Sequence, residues 1–372
     1  MRAASSATKC GRGICSSEIR SSGQSPIFRL PAHSFVFEVD QDIRKAKTLP
    51  SEFYTDPKYF ELSKERIFAR TWQFAGQIGD RGSFRPFTML PGFLDEPLLI
   101  STTDSGVQCM SNVCTHRGKI LVEEPCVASL IRCGYHGRRF SLEGKFLSMP
   151  EFESVEDFPS ESDDLRQIDA STRGGFVFLS LDPVASFADF TDEAAAKLED
   201  ISPDNLKFVS KREYEINAHW ALYCENYLEG FHIPFIHKSL NEIVDYGTYS
   251  TELFRYSSLQ TGFDADGGIA GRYLFMFPNT MFNFYPWGIS VNIVRPISPS
   301  KTVVEYLTYV SDESLTGEGA GADLHRVELE DEAVVESVQR GIRSRYYSQG
   351  RYSPTREQGT HHFHRLIAEF MN

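Results

Sequence analysis

The 372-residue chain is short of several things, and each shortage removes a class of function. It holds no unbroken apolar run of the roughly 18–20 residues that a membrane-spanning helix needs. Positive charge is scarce: 38 Lys and Arg face 51 Asp and Glu, giving a net charge of −13. That balance argues against nucleic acid or an anionic membrane as a partner. The seven cysteines are odd in number and sparsely spaced, unlike a secreted disulfide scaffold. A reducing compartment, with some thiols held by metal, fits them better. Internal repeats are missing. The only biased stretch is residues 1–26, with four basic residues, one acid and seven serines. It reads as an organelle transit peptide, which would place the chain in a stroma or matrix, or as a disordered tail on a cytoplasmic bacterial protein.

What is present suffices for about two domains. Apolar residues make up 41% of the chain, enough for a core. Residues 56–76, "DPKYFELSKERIFARTWQFAG", read as a helix leading into a strand, with Tyr59, Phe60 and Ile67 at helical spacing. From 84 to 182, short β segments alternate with Gly, Pro and Asp turns. The pattern continues with a helical connector over 187–205, a helix with an internal proline over 219–237 and strands over 251–311. The chain ends in helix, clearest over 324–346.

Two short stretches repeat an unusual pairing. "VCTHRGK" (113–119) places Cys114 two residues before His116, and "CGYHGR" (133–138) places Cys133 three residues before His136. One pair of thiolates can hold one iron and one pair of imidazoles a second, bridged by sulfide. Neutral histidines in place of thiolates raise the potential of such a cluster. Zinc also accepts two Cys and two His, but zinc fingers pair like with like and continue into a helix. Here each half combines Cys with His, followed by Gly118 or Gly137 in a β context. The pattern resembles a Rieske [2Fe-2S] site. Respiratory Rieske proteins add a bracing cysteine to each loop; Lys119 and Tyr135 occupy those positions here, so the likeness is to the oxygenase branch. Cys109 and Cys126 read as buried small hydrophobes.

A cluster alone only relays electrons. In "CENYLEGFHIPFIH", Glu229, His232 and His237 stand three and five residues apart. Glu229 and His232 share a helix face. Five residues at about 100° each put His232 and His237 roughly 140° apart, so a regular helix could not aim both at one metal. Pro234 is placed to bend it. Two histidines and a carboxylate make the facial triad of a non-haem Fe(II) oxygenase. In "DLHRVELEDEAVVESVQRGI", Leu324, Val327, Val334, Val335, Val338 and Ile342 form an apolar stripe, and Asp331 falls near its centre. Glu328 and Glu330 lie toward its edges, whereas Glu332 and Glu336 point away. Asp331 is the expected third ligand; the structural alternative is an ion pair with an arginine such as Arg345.

Together these motifs resemble the catalytic α subunit of Rieske non-haem iron oxygenases over about residues 50–372. The resemblance implies an α+β chain: a Rieske β-sandwich domain, then a helix-grip (START-like) catalytic domain with an antiparallel sheet. Its expected parts are 1–34, disordered or targeting; 35–66, helical and packed on the catalytic domain; 67–182, the Rieske domain; and 183–372, the catalytic domain. It also implies a homotrimer in which the cluster on Cys114, His116, Cys133 and His136 serves the iron of a neighbouring subunit across Glu229. Asn226 is expected to close the channel side of the site. "VESVQRG" and "NFYPWGISVN" suggest the quaternary-ammonium branch, which includes choline monooxygenase, carnitine oxygenase and betaine demethylases. A quaternary nitrogen needs an aromatic cage. Tyr285, Trp287 and Phe284 are candidates; strand alternation puts Tyr285 and Trp287 on one face and Phe284 on the other.

The activity so implied is O2-dependent hydroxylation or N-demethylation, by a monooxygenase or dioxygenase. Electrons come from NAD(P)H through a flavin/iron-sulfur reductase, with or without a ferredoxin, to the cluster and then to a mononuclear Fe(II). Alternatives are an aromatic-ring hydroxylating dioxygenase α subunit, with a roomier apolar pocket, a Rieske-type electron carrier with a ligand-binding domain, and a START-like lipid-binding protein.

Overall fold

The computed structural model describes residues 36–200, 206–237, 240, 242, 245–315 and 324–372. The serine-rich segment 1–34 and the end of the 187–205 connector lie outside the described residues. No helix among the described residues is long and apolar enough to cross a membrane.

The fold is α+β, built on antiparallel sheets. Helices α1 (Ser51–Thr55) and α2 (Pro57–Arg66) come first. Asp56 caps α2 by accepting from the Lys58 N–H at 2.9 Å, and Pro57 occupies its first turn, where a missing N–H costs nothing. Next come β1 (Gln73–Gln77), β2 (Ser83–Met89), β3 (Glu96–Thr103), β4 (Gly106–Ser111), β5 (Cys126–Val127), β6 (Ile131–Arg132), β7 (Arg139–Phe140), β8 (Phe146–Ser148), β9 (Gln167–Arg173) and β10 (Phe176–Ser180). Seven of them form a sheet in the order β1-β10-β9-β4-β3-β2-β5, and β6-β7-β8 form a smaller one. Helix α3 (Phe187–Ala195) is shorter than the sequence suggests and starts on a reciprocal Ser186–Asp189 cap.

A second seven-stranded sheet contains β11 (Lys207–Ile216), β12 (Ser250–Leu253), β13 (Ser257–Phe263), β14 (Ile269–Met276), β15 (Thr280–Tyr285), β16 (Gly288–Ser298) and β17 (Lys301–Val310), ordered β11-β17-β16-β15-β14-β13-β12. The sequence reading does not anticipate β11. It is an edge strand, charged and mostly exposed, and lacks the apolar alternation that marks a half-buried strand. Against this sheet lie α4 (Trp220–Tyr227), α5 (Ile233–Ile236), α6 (Leu324–Gly341) and α7 (Gln358–Met371). Helix α4 is buried along Trp220–Cys224, and the His219 side chain caps it through the Ala221 N–H. Tyr54 of α1 donates to Glu225 of α4 at 2.7 Å, and Glu225 also meets His364 of α7 at 3.1 Å. Aromatic contacts join the two large sheets, with Phe176 of β10 lying 5.0 Å from Tyr309 of β17.

The expected proline-bent helix over 219–237 is instead two helices. α4 stops at Tyr227, and Pro234 stands in the first turn of α5. Ending the helix frees the chain to turn between Leu228 and His232, which a bend alone would not do. The buried face of α6 is also rotated from the apolar stripe. Glu328, Val335 and Gln339 are buried, as is Ile342 just past the helix end, whereas Val338 is 45% exposed. The rotation follows from polar anchors: Gln339 accepts from the His219 N–H at 2.8 Å, and Glu336 accepts from the Asn217 N–H at 2.9 Å.

Buried Arg138 makes an ion pair with half-buried Asp163 at 2.6 Å. The guanidinium lies 4.8 Å from the Phe146 ring centroid. The Asp163 carbonyl accepts from Arg138 and also from Thr115 at 2.8 Å, so it links the 133–138 loop to the 114–118 loop. Burial opposes ionisation of Asp163, but the Ser160 N–H and Arg138 outweigh it and hold its pKa below the usual carboxylate value. Asp163→Asn should cost about 3–5 kcal/mol of unfolding free energy at neutral pH, because it strands a buried guanidinium. A depressed carboxylate stabilises fully above its unfolded pKa near about 4 and loses its effect as pH falls through the folded value. Urea unfolding of both proteins should therefore converge in acid; a difference under about 1 kcal/mol at neutral pH would contradict this role.

Candidate active site

The two Cys/His loops have one backbone design. In the first, the Cys114 N–H donates to the Lys119 carbonyl at 2.8 Å, and the Gly118 N–H donates back to the Cys114 carbonyl at 3.0 Å. In the second, the Cys133 N–H donates to the Arg138 carbonyl at 2.8 Å, and the Gly137 N–H donates to the Cys133 carbonyl at 3.1 Å. Gly118 and Gly137 have φ of 72° and 76°, the left-handed region that glycine enters without strain. The histidines fall at different offsets within matching loops, and their ring centroids come within 4.8 Å. Cys114 and Cys133 are free thiols and interact directly. Burial raises the pKa of Cys114. For Cys133 burial also opposes ionisation, but the Tyr135 and His136 N–H groups help to lower its pKa. His136 Nδ1 is buried without a hydrogen-bond partner among the described residues. Cys109 is buried as expected, but Cys126 is exposed, because β5 lies at the sheet edge.

The second constellation converges from three elements. His232 precedes α5, His237 follows it, and Asp331 lies mid-way along α6. Nε2 of His237 is 3.0 Å from Asp331 Oδ1, Nε2 of His232 is 3.6 Å from it, and potential ligand atoms of all three lie within 4.8 Å of one another. Each histidine turns Nδ1 to a carboxylate: His232 to Glu229 at 2.7 Å, and His237 to Glu330 at 2.7 Å. An acceptor at Nδ1 keeps the ring proton there and leaves the Nε2 lone pair for a metal. Burial opposes protonation of His237, but hydrogen bonds to Asp331 and Glu330 outweigh it and raise its pKa. Asn226 donates to Asp331 Oδ1 at 2.6 Å, so it fixes the carboxylate itself. Asp331 thus faces Asn226 and two histidines, a partner set different from the arginine of the structural alternative. Glu229 and His232 do not share a helix; the Glu229 carboxylate instead accepts from the His232 N–H at 3.1 Å, within the turn.

Beside these residues is a cavity of about 110 Å³. Tyr227, Tyr249, Tyr273 and Tyr285 wall it, and Gln260, Asn283 and Asn292 add amides. The Tyr227 hydroxyl donates to Asn283 at 3.0 Å and the Tyr249 hydroxyl to Gln260 at 3.2 Å, which pins both rings. A Cβ on Gly230 would meet the Tyr249 ring at 2.8 Å, so glycine there admits that ring. Trp287 does not line the cavity; it stacks behind Tyr285 at 5.1 Å. Phe284 lines a larger apolar cavity of about 220 Å³, between α3, β10 and the second sheet, which His232, His237 and Asp331 do not reach. Sequence reasoning missed Tyr249, Tyr273, Gln260 and Asn283. Gln260, Tyr273 and Asn283 form one row across β13, β14 and β15, a register that only strand pairing reveals.

A family model for the Rieske [2Fe-2S] domain matches residues 83–159, and one for the ring hydroxylating alpha subunit (catalytic domain) matches 203–263 and 249–372. Over 364 residues the chain is 33% identical to a chloroplastic choline monooxygenase of Arabidopsis thaliana, covering 89% of this chain and 84% of that one. The chain belongs to the Rieske non-haem iron oxygenases, as a catalytic α subunit. It is also 29% identical over 378 residues to the carnitine monooxygenase oxygenase subunit of Escherichia coli (strain K12), covering 94% and 99% of the two chains. The solved quaternary ammonium Rieske monooxygenase CntA in complex with L-carnitine is similar, with 28% identity, a TM-score of 0.75 and coverage of 89% and 97%. A naphthalene 1,2-dioxygenase, 18% identical with a TM-score of 0.69, shares the fold.

As a Rieske oxygenase the chain is an oxidoreductase whose cofactors are a [2Fe-2S] cluster and a mononuclear iron, with O2 as co-substrate. The residues present fit both groups: two free thiols and an unpartnered imidazole nitrogen at one place, convergent Nε2 atoms and a carboxylate at the other. Glu330, an edge residue in the sequence reading, holds His237. Glu330→Gln, which keeps an acceptor and loses the charge, should weaken binding of Fe(II) by about 10–100-fold in an anaerobic titration and leave the cluster absorption intact. Unchanged affinity would contradict its role.

Proposed function

We propose that this chain is the terminal oxygenase component that hydroxylates or N-demethylates a small quaternary-ammonium substrate. In this reading Cys114, His116, Cys133 and His136 hold the cluster, and His232, His237 and Asp331 hold the iron. Residues 67–182 act as the electron-receiving domain and 183–372 as the catalytic domain. When bound, the two groups supply single electrons and activation of O2. The chain's own residues bind, orient and shield. The observation that carries the substrate reading is the cage of Tyr227, Tyr249, Tyr273 and Tyr285 beside Asp331. A quaternary nitrogen has no N–H to donate, so aromatic faces and a negative environment must hold it. The amides of Gln260, Asn283 and Asn292 suit a substrate with a polar end and do not suit an aromatic hydrocarbon.

In the overall reaction one C–H bond becomes C–O–H. One oxygen atom of O2 enters the product and the other leaves as water, with two electrons and two protons supplied. Hydroxylation of a carbon attached to nitrogen gives a product that collapses to aldehyde and amine. The electrons come from NAD(P)H through a flavin/iron-sulfur reductase. Glu229 holds His232 and couples the two centres across subunits of a homotrimer. Exposed Phe231 and Phe235 beside it, and exposed Tyr135 beside His136, support contacts between subunits at both centres.

Oxygen uptake with a surrogate reductase tests this reading. Choline, glycine betaine, carnitine or proline betaine should drive substrate-dependent uptake, and simple aromatics should not. Uptake with aromatics alone would overturn the proposal. Tyr285→Ala should raise KM for the active amine about tenfold, whereas Tyr285→Phe, which keeps the ring face, should change it less than about threefold. Equal effects of the two would contradict the cage.

A further inference from the structure

Glu328 lies one turn before Asp331 on α6 and is 1% exposed. Its Oε2 accepts from the Tyr223 hydroxyl of α4 at 2.6 Å and from the Tyr306 hydroxyl of β17. The two hydroxyls are 2.9 Å apart. Oε1 is buried and has no hydrogen-bond partner among the described residues. Tyr223 and Tyr306 line the cavity beside the iron-holding residues, and Glu328 lies behind them. A buried carboxyl with one oxygen unsatisfied is costly and calls for a reason. Helix anchoring alone is a weak one, because a neutral glutamine would bond both hydroxyls equally well.

We propose that Glu328 is the counter-charge that makes this cavity select a cation over a neutral molecule of the same shape, acting through Tyr223 and Tyr306. The inference rests on the quaternary-ammonium reading and names what enforces it. A quaternary cation cannot reach a carboxylate by hydrogen bonding and does not need to. In a water-poor site the attraction acts through space, over distances at which bulk water would screen it. Both tyrosine hydroxyls donate toward Glu328, so each ring is held with its proton directed away from a bound cation. Other groups facing the carboxyl are Asp331 and Glu332 on its own helix, Tyr223 on α4 and Tyr306 on β17. Burial is the main cause that raises its pKa, to about 8, with Asp331 and Glu332 adding to the shift and the two tyrosines opposing it. The carboxyl therefore has charge to gain when a cation arrives.

The test compares choline with 3,3-dimethylbutan-1-ol, which replaces the charged nitrogen by carbon and keeps the shape. Binding to the iron-loaded holoenzyme is measured by anaerobic calorimetry, without turnover. The wild type should bind choline at least about tenfold more tightly than the alcohol. Glu328→Gln should reduce that ratio at least about fivefold by weakening choline alone, and Glu328→Asp should retain most of it. Equal loss for both ligands in Glu328→Gln would mean a structural role and would overturn the inference, as would an unchanged ratio. Failure of the wild type to bind any quaternary amine would overturn the functional reading itself. Should Glu328→Gln not fold, the wild-type ratio still decides. It should grow from about pH 6.5 to about pH 8.5 as the carboxyl ionises, and a flat ratio would overturn the proposal.

Discussion

The Asp331 carboxylate is the point on which the catalytic half depends. Two imidazole Nε2 atoms face it, Asn226 donates to it, and the Nδ1 atoms of the same histidines are taken by Glu229 and Glu330. Without a cation this arrangement crowds three carboxylates around two imidazole rings. With one, every group has a partner. Bringing them together requires the chain to abandon a helix between Leu228 and His232, to restart it on Pro234 and to hold α6 against α4. Backbone regularity is lost where the chemistry needs it lost.

The two centres use the same logic at different scales. In the cluster loops, left-handed glycines and N–H groups directed toward sulfur shape a pair of short turns, and Arg138 with Asp163 ties them at the base. In the catalytic half, side chains on α4, α5 and α6 and on five strands of the sheet wall a small cavity. The hydroxyls of Tyr223, Tyr227 and Tyr249 have internal acceptors, which fixes how their rings face the cavity. Buried carboxyls near such a cavity are a stability liability that function explains.

Much of this was legible in the sequence where chemistry and spacing coincide. That His116 and His136 would meet could be read from two short loops, and that His232, His237 and Asp331 would converge from two motifs. What stayed hidden depends on tertiary packing. The apolar stripe on α6 set Glu328 at an edge, but the helix packs against both α4 and β17 and its buried face turns toward polar anchors. Val338 is exposed and Gln339 is not. Trp287 was expected beside Tyr285 in an aromatic cage but stacks on Tyr285 outside the cavity, since the chain turns into a hairpin after Tyr285. Tyr249, Tyr273 and Gln260 become neighbours only through strand register, and β11 carries too much charge to read as a strand.

The central claim is that this polypeptide holds two separate iron centres that work in series. Iron and acid-labile sulfide analysis of the fully loaded protein, combined with Mössbauer spectroscopy, addresses it directly. The account predicts about three irons and two sulfides per chain, with one ferrous site distinct from the cluster. A value of about two irons, all of them in the cluster, would contradict it.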